Sequence, residues 1–253
     1  MRILESVIVA FSMFSAIPVP QIEWNEKNMR YSLCAFPLIG AVIGAACWVW
    51  LCLSTRLALP PLLKGAVLCA IPVWLSGGIH LDGYADTWDA LSAHVTVQRR
   101  QEILKDPHLG AFAAIHLGLY FVLDVAFCSA LPETAGLPLA VVFCLSRCLS
   151  GLALTVFPLR EGSGLARSFA DAADRRWVRW ILLVLSILLA VLFLVLGCWP
   201  AAAAAALIFG VYYCLICPKF EGLSGDLAGW FLQTVELWMI GALTLWTFME
   251  KML

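Results

Sequence analysis

Charge is scarce in this chain: only 13% of its residues are Asp, Glu, Lys or Arg, 62% are hydrophobic, and the formal net charge is -1. With a mean hydropathy of +0.92, that balance excludes a soluble globular domain and indicates a polytopic membrane protein. A net charge so near zero offers no field for nucleic acid, which is excluded as a partner. Ser/Gly linkers, low-complexity tails and long charge runs are also missing, so residues 1–253 read as a single membrane-embedded domain. The lack of an internal repeat argues against a transporter built from inverted halves. One CxxC pair occurs among the ten cysteines, Cys214 and Cys217 in CLIC, but it and most of the others stand inside apolar runs, where free Cys behaves as a small hydrophobe. Walker, HExxH, GxGxxG and nucleophile-elbow motifs are absent, and with them any signal for covalent catalysis.

What is present is a series of apolar runs near the ~20 residues needed to cross a bilayer: Leu33 to Leu53, Leu62 to Ile79, Ala111 to Leu131, Leu137 to Phe157, Trp180 to Gly197, Trp199 to Cys217 and Leu227 to Met249. The predicted fold is therefore all-α, a polytopic integral membrane helix bundle with about seven transmembrane helices. The opening stretch, Ile3 to Pro18, carries Glu5 and closes in IPVP, and reads as a short span, a re-entrant piece or an interfacial helix. It lacks the basic start and cleavage site of a signal peptide. Within the spans, Gly40 and Gly44 form a small-xxx-small pair expected to seat a neighbouring helix.

The basic residues are unevenly placed. Alternate loops, around 18 to 32, 80 to 110, 158 to 179 and 218 to 226, hold most of the 16 Lys and Arg. The positive-inside rule makes these loops cytoplasmic.

Three aspartates stand out against this background. In GGIHLDGYADTWDAL (Gly77 to Leu91), Asp82, Asp86 and Asp89 fall at i, i+4 and i+7, within roughly 60° of one another on a helix. Carboxylates so grouped repel unless neutralised, and hard divalent ions such as Mg²⁺ take oxygen ligands while leaving positions for water and substrate phosphates. The pattern predicts a phosphate-handling metal face, with Asp226 in SGD (Ser224 to Asp226) completing it from another membrane edge. His80, two residues ahead of Asp82, reads either as a base or phosphate donor or as a hydrogen-bonded interfacial residue.

Further polar groups gather at the same edges. Lys105 and Asp106 in ILKDPHLGAF offer a point charge for a phosphate and a group for a metal or hydroxyl. Arg160 and Arg167 flank Gly162 and Gly164, where guanidinium groups and backbone amides suit a diphosphate. Glu236, inside the last span, needs a proton, a cation or a partner. Asp124 and Arg147 lie at depths differing by roughly 5 Å of helix rise, so the sequence predicts that they pair, or that Arg147 reaches a phosphate. Together these groups describe Mg²⁺-assisted phosphoryl chemistry at the inner membrane edge, with positioning and charge stabilisation as the main catalytic effects.

At this point the chain resembles the cobalamin synthase family, adenosylcobinamide-GDP ribazoletransferase. The resemblance runs through nearly the whole sequence in order: IPVP, FPLIGAVIG (Phe36 to Gly44), GGIHLDGYADTWDAL, ILKDPHLG, Ser146 with Arg147, the REGSG loop and SGD. It implies an integral membrane enzyme that uses Mg²⁺ to join α-ribazole, or its 5'-phosphate, to adenosylcobinamide-GDP with release of GMP. Carried onto this chain, the family's acidic motif falls on Asp82, Asp86 and Asp89, its Lys-Asp on Lys105 and Asp106 and its later Gly-Asp on Asp226. Taken with the polar groups above, the expected metal ligands are Asp82, Asp86, Asp89 and Asp226, the expected catalytic residues His80, Lys105 and Asp106, and the expected substrate-binding residues Arg147, Arg160, Arg167, Ser224 and Glu236. The base stays open among His80, Asp106 and Asp89. The lipid bilayer and the two substrates are the implied partners, and a homo-oligomer or association with other corrinoid-pathway enzymes is left open. Departures occur at Trp88, Ala90, Pro107, His108, Ser224 and Gln233; His108 replaces a common Arg and Gln233 a frequent Glu. Two rivals remain: a CDP-alcohol-type phosphotransferase, whose motif fails after Asp82 and Gly83, and an ion-coupled transporter using Asp124, Arg147 and Glu236.

Overall fold

The computed structural model describes residues 2–161, 164–250 and 252. Among them the chain forms α1 (Arg2–Phe14), α2 (Glu26–Met29), α3 (Ser32–Arg56), α4 (Pro61–Ser76), α5 (Ile79–Ser92), α6 (Val97–Ile103), α7 (Ala111–Ala130), α8 (Gly136–Val156), α9 (Leu165–Ala172), α10 (Arg175–Val195), α11 (Trp199–Val211) and α12 (Gly225–Glu250). No strand occurs among the described residues; Leu159 and Leu223 make an isolated bridge. In an apolar solvent the backbone must satisfy its own hydrogen bonds, and helices do so within one segment. Six helices are long and apolar enough to cross a membrane, or seven if the bent pair α4 and α5 counts as one span. The protein is thus an all-α membrane-embedded bundle.

The expected second span does not run straight. It breaks at Gly77 and Gly78, whose φ angles of 69° and 77° lie in the left-handed region that costs any residue with a Cβ roughly 1 kcal/mol. As a result α5 leaves α4 at 98° and carries the aspartates across the end of the bundle. The 13-residue α1 is about 20 Å long, too short for a hydrocarbon core of ~30 Å. It packs on α3 and is tied to the bend where the Ala16 N–H donates to the Leu75 carbonyl at 2.8 Å.

The central helix is α8, packed against α3, α10 and α12. Gly40 and Gly44 seat α3 on it, as their spacing predicts: a Cβ at Gly44 would stand 2.6 Å from the Ala140 Cα. The four basic-rich loops meet at one end. Arg30 and Asp174 pair at 2.5 Å, Arg160 N–H donates to the Leu223 carbonyl at 3.0 Å, and Arg100 Nη1 to the Lys219 carbonyl at 3.3 Å. At the opposite end Lys64 Nζ donates to the Leu131 carbonyl at 2.6 Å.

The expected pairing of Asp124 with Arg147 is corrected. Helices α7 and α8 follow one another in sequence but share only α12 as a packing partner: α7 also packs on α4 and α5, and α8 on α3 and α10. Arg147 therefore meets Glu236 of α12 in an ion pair buried on both sides. Its Nη1 also donates to the Phe143 carbonyl and Ser146 Oγ, each at 3.0 Å, and Ser146 Oγ donates to Glu236 Oε1 at 2.6 Å. Arg147 Nε has no acceptor, and the guanidinium rests over the rings of Phe143 and Phe36 at 5.7 and 6.0 Å. Asp124 is buried beside Cys128, whose Sγ lies 3.8 Å from Oδ1. Gln233 accepts the Tyr120 hydroxyl at 2.6 Å.

Candidate active site

The site begins with two glycines. A Cβ on Gly83 would stand 2.8 Å from the Asp226 Cα, and one on Gly229 would stand 2.8 Å from the His80 carbonyl oxygen. Only hydrogen fits at either place, so α5 and α12 approach backbone to backbone. This contact brings the aspartates of one helix to the start of the other. Ser224 closes that start: its Oγ accepts the Leu227 N–H at 3.4 Å and donates to Asp226 Oδ2 at 3.4 Å, an N-cap that also steers the carboxylate.

Beside this contact lies a cavity of about 300 Å³, lined on its polar side by His80, Asp82, Arg160, Ser224 and Asp226. Its other side is apolar, with Met13 and Phe14 from α1, Phe36 from α3, Leu154 from α8, and Leu165, Ala166 and Phe169 from α9. Ser150 is the hydroxyl on that side.

The charges here lack partners. Among the described residues, Asp82 and Asp86 form no ion pair, and neither do Asp89 and Asp226. Asp82, Asp89 and Asp226 all lie within electrostatic reach of Asp86, and Arg160 within reach of Asp226. Arg160 is buried, yet its Nη1 has no hydrogen-bond partner, and the same holds for His80 Nε2. Burying such groups unpaired costs on the order of 1–3 kcal/mol each. Both residues line the cavity, where a bound ligand would supply the missing partner.

Of the residues singled out in the sequence, the structure gathers His80, Asp82, Arg160, Ser224 and Asp226 at the cavity. Asp86 sits half-buried one turn along the same helix face. Asp89 has a different neighbour: its Oδ1 accepts the Ala113 N–H at 3.4 Å, in space that a side chain at Gly110 would fill. The carboxylate thus caps the open N-terminus of α7 from another helix.

Other expected residues lie elsewhere. Lys105 and Asp106 are exposed in the loop before α7. Asp106 accepts the His108 N–H at 3.0 Å and contacts His108 Nδ1 at 2.7 Å. The backbone bond first, and the ring second, hold its carboxyl below the usual carboxylate range, which weakens it as a base. Arg167 points outward and pairs with Asp171 at 3.4 Å, while Arg147 and Glu236 neutralise each other within the bundle. Gly162 lies outside the described residues.

Among the described residues no three His, Cys, Asp or Glu side chains converge tightly enough to cage an ion by themselves. Mg²⁺ does not require such a cage, since one or two carboxylates suffice when water and phosphate oxygens fill the octahedron. Two unpaired carboxylates on facing helices, Asp82 and Asp226, fit that requirement.

Sequence reasoning missed the aromatic wall. Phe14, Phe36 and Phe169 come from three separated segments, and Phe is too common here, with 14 copies, to mark a site.

Residues 6–244 match the family model described as cobalamin-5-phosphate synthase. The chain is 43% identical over 240 residues to the adenosylcobinamide-GDP ribazoletransferase of Lachnoclostridium phytofermentans, covering 94% of this chain and 92% of that one. It is 32% identical over 247 residues to the protein of the same name in Desulfitobacterium hafniense, covering 94% and 96%. A Geobacillus protein of that name is 30% identical over 241 residues, covering 92% of each chain. No solved structure matches. With the family model spanning almost all of it, and relatives this similar over almost their whole length, the chain belongs to the cobalamin-5-phosphate synthase family.

Proposed function

We propose that this chain is a membrane transferase that joins α-ribazole, or its 5'-phosphate, to adenosylcobinamide-GDP and releases GMP, at the cavity between α5 and α12. The observation that carries this reading is the meeting of unpaired carboxylates, Asp82 and Asp226, with the unpartnered, buried Arg160 Nη1 at one cavity wall. A diphosphate bound through a divalent ion would satisfy all three.

Asp82 and Asp226 are the groups placed to hold Mg²⁺, with Asp86 the next carboxylate along the face. Bound there, Mg²⁺ would neutralise the diphosphate and the departing GMP. Arg160 donates to the same oxygens from the other side, in a low-dielectric setting where such bonds count for more than in water. His80 is the one of the three open base candidates that lines the cavity, and its Nε2 is free to take the proton of a ribose hydroxyl. That oxygen bonds to the phosphorus nearest cobinamide as the bond to GMP breaks. By the positive-inside rule the cavity end, where the basic loops meet, faces the cytoplasm of a bacterial inner membrane. The transporter reading loses its support because Arg147 and Glu236 neutralise each other.

The test is GMP release by the purified, detergent-solubilised protein given adenosylcobinamide-GDP and α-ribazole 5'-phosphate. The expected result is Mg²⁺-dependent GMP with a matching corrinoid product. Folded protein that forms neither would overturn the assignment.

A further inference from the structure

The cavity is lined by polar residues from α5, α12 and the Arg160 loop and by apolar residues from α1, α3, α8 and α9, and only the polar set is accounted for by a diphosphate. We propose that the apolar wall is the subsite for the acceptor nucleoside: its flat heterocyclic base lies among Phe14, Phe36 and Phe169, its ribose at His80, and the guanine of the donor stays outside. The inference rests on the transferase reading given above and names which substrate the cavity takes.

Size is the first argument. About 300 Å³ is at the small end of the ~300–1,000 Å³ range for ligand pockets. It suits one nucleoside and cannot take a corrin ring.

Wall chemistry is the second. The Phe14 ring centroid lies 4.5 Å from that of Phe36 and 5.3 Å from that of Phe169, so three rings from α1, α3 and α9 form one aromatic cluster, with half-buried Phe14 its open member and Phe36 and Phe169 buried against it. Guanine carries donors and acceptors around most of its edge, and against phenyl rings they would be buried unpaired, at a cost of about 1–3 kcal/mol each. A benzimidazole has a single free ring nitrogen and an otherwise apolar edge. Ser150 also lines the cavity and offers a hydroxyl to that nitrogen.

The third argument is the unpartnered His80 Nε2. His80 is buried, with its ring 5.8 Å from Phe36, and it lines the cavity together with Asp82, so the residue joins the aromatic and acidic parts of the lining. A ribose there, its base toward Phe36, places a hydroxyl against His80 and toward the phosphate side.

The experiment measures KM for each substrate separately in wild type, Phe36→Ala, Phe36→Leu and Phe169→Ala, together with equilibrium binding of α-ribazole to the wild type without donor. The inference predicts that α-ribazole binds alone and GMP does not displace it. It predicts that KM for α-ribazole phosphate rises about tenfold or more in the Ala variants, with partial recovery in Phe36→Leu, and that KM for adenosylcobinamide-GDP stays within about twofold. Displacement by GMP, or a rise confined to the donor's KM, would overturn it while wild-type turnover left the transferase reading standing. Binding of the free nucleoside reports on the subsite even where an Ala variant fails to fold. Wild type without GMP release would remove the transferase reading and this inference together.

Discussion

Two groups of charges mark this apolar bundle, one buried within it and one open at its end, and they are treated in opposite ways. Around Arg147 the charge is cancelled: Glu236 on α12, the Phe143 carbonyl and Ser146 meet the guanidinium, and phenyl rings cover it. Around Asp82 and Asp226 it is left open, with no ion pair among the described residues and two unpartnered buried nitrogens nearby. A buried charge without its partner is expensive, so the closed group, buried on both sides, reads as a brace between helices, whereas Asp82 is exposed and Asp226 half-buried, so both carboxylates stay accessible to a ligand. Charge alone does not distinguish the two. Satisfaction does.

If that contrast is right, Asp82→Asn separates function from stability: GMP release falls by about 10³-fold, on the scale of losing a preorganised electrostatic group, while the thermal midpoint in detergent is unchanged. Near-normal release would erase the contrast. Glu236→Gln does the reverse, costing about 3–5 kcal/mol because it strands the guanidinium. The double variant Arg147→Met with Glu236→Leu regains part of that loss, and a double-mutant cycle between Arg147 and Asp124 shows no coupling.

Arg160→Gln sharpens the boundary between the two groups. It should lower turnover about 10- to 100-fold through the lost charge-assisted bonds, with little change in unfolding. Asp89→Ala should cost about 1 kcal/mol by uncapping α7, visible as faster amide exchange at Ala113, and Asp89→Asn should retain part of the protection. Unchanged exchange in the Ala variant would return Asp89 to the metal face alone.

The smallest effect is at the rim. The Arg30 hydrogen bond holds the Asp174 carboxyl below its ordinary value. Because the folded value is the lower one, the stability this pair contributes is present above the unfolded pKa, about 3.9. It disappears as pH falls through the folded one. The stability gap between wild type and Asp174→Asn should close on acidification over that range; a gap that widened would contradict the pairing.

The sequence made the spans legible because bilayer crossing demands long apolar runs, and the aspartate face because the helical period is fixed. It made the break after Ser76 only partly legible. The paired glycines are visible, but Leu62 to Ile79 is apolar enough to read as one span, and only the φ angles at Gly77 and Gly78 turn it. Pairings were not legible where sequence neighbours are not neighbours in space, which is why Arg147 was matched to Asp124 on the preceding helix. Lys105 and Arg167 were grouped with the site because a basic loop is basic whether or not it touches a phosphate. The aromatic wall was invisible, since in a membrane protein another phenylalanine carries no information until the fold places it.

The most direct test of the account is Mn²⁺ binding, followed by electron paramagnetic resonance, in wild type, Asp82→Asn and Asp89→Asn with adenosylcobinamide-GDP present. The account predicts a bound ion in wild type, its loss in Asp82→Asn and its retention in Asp89→Asn. An ion that binds equally well without the Asp82 carboxylate would contradict it.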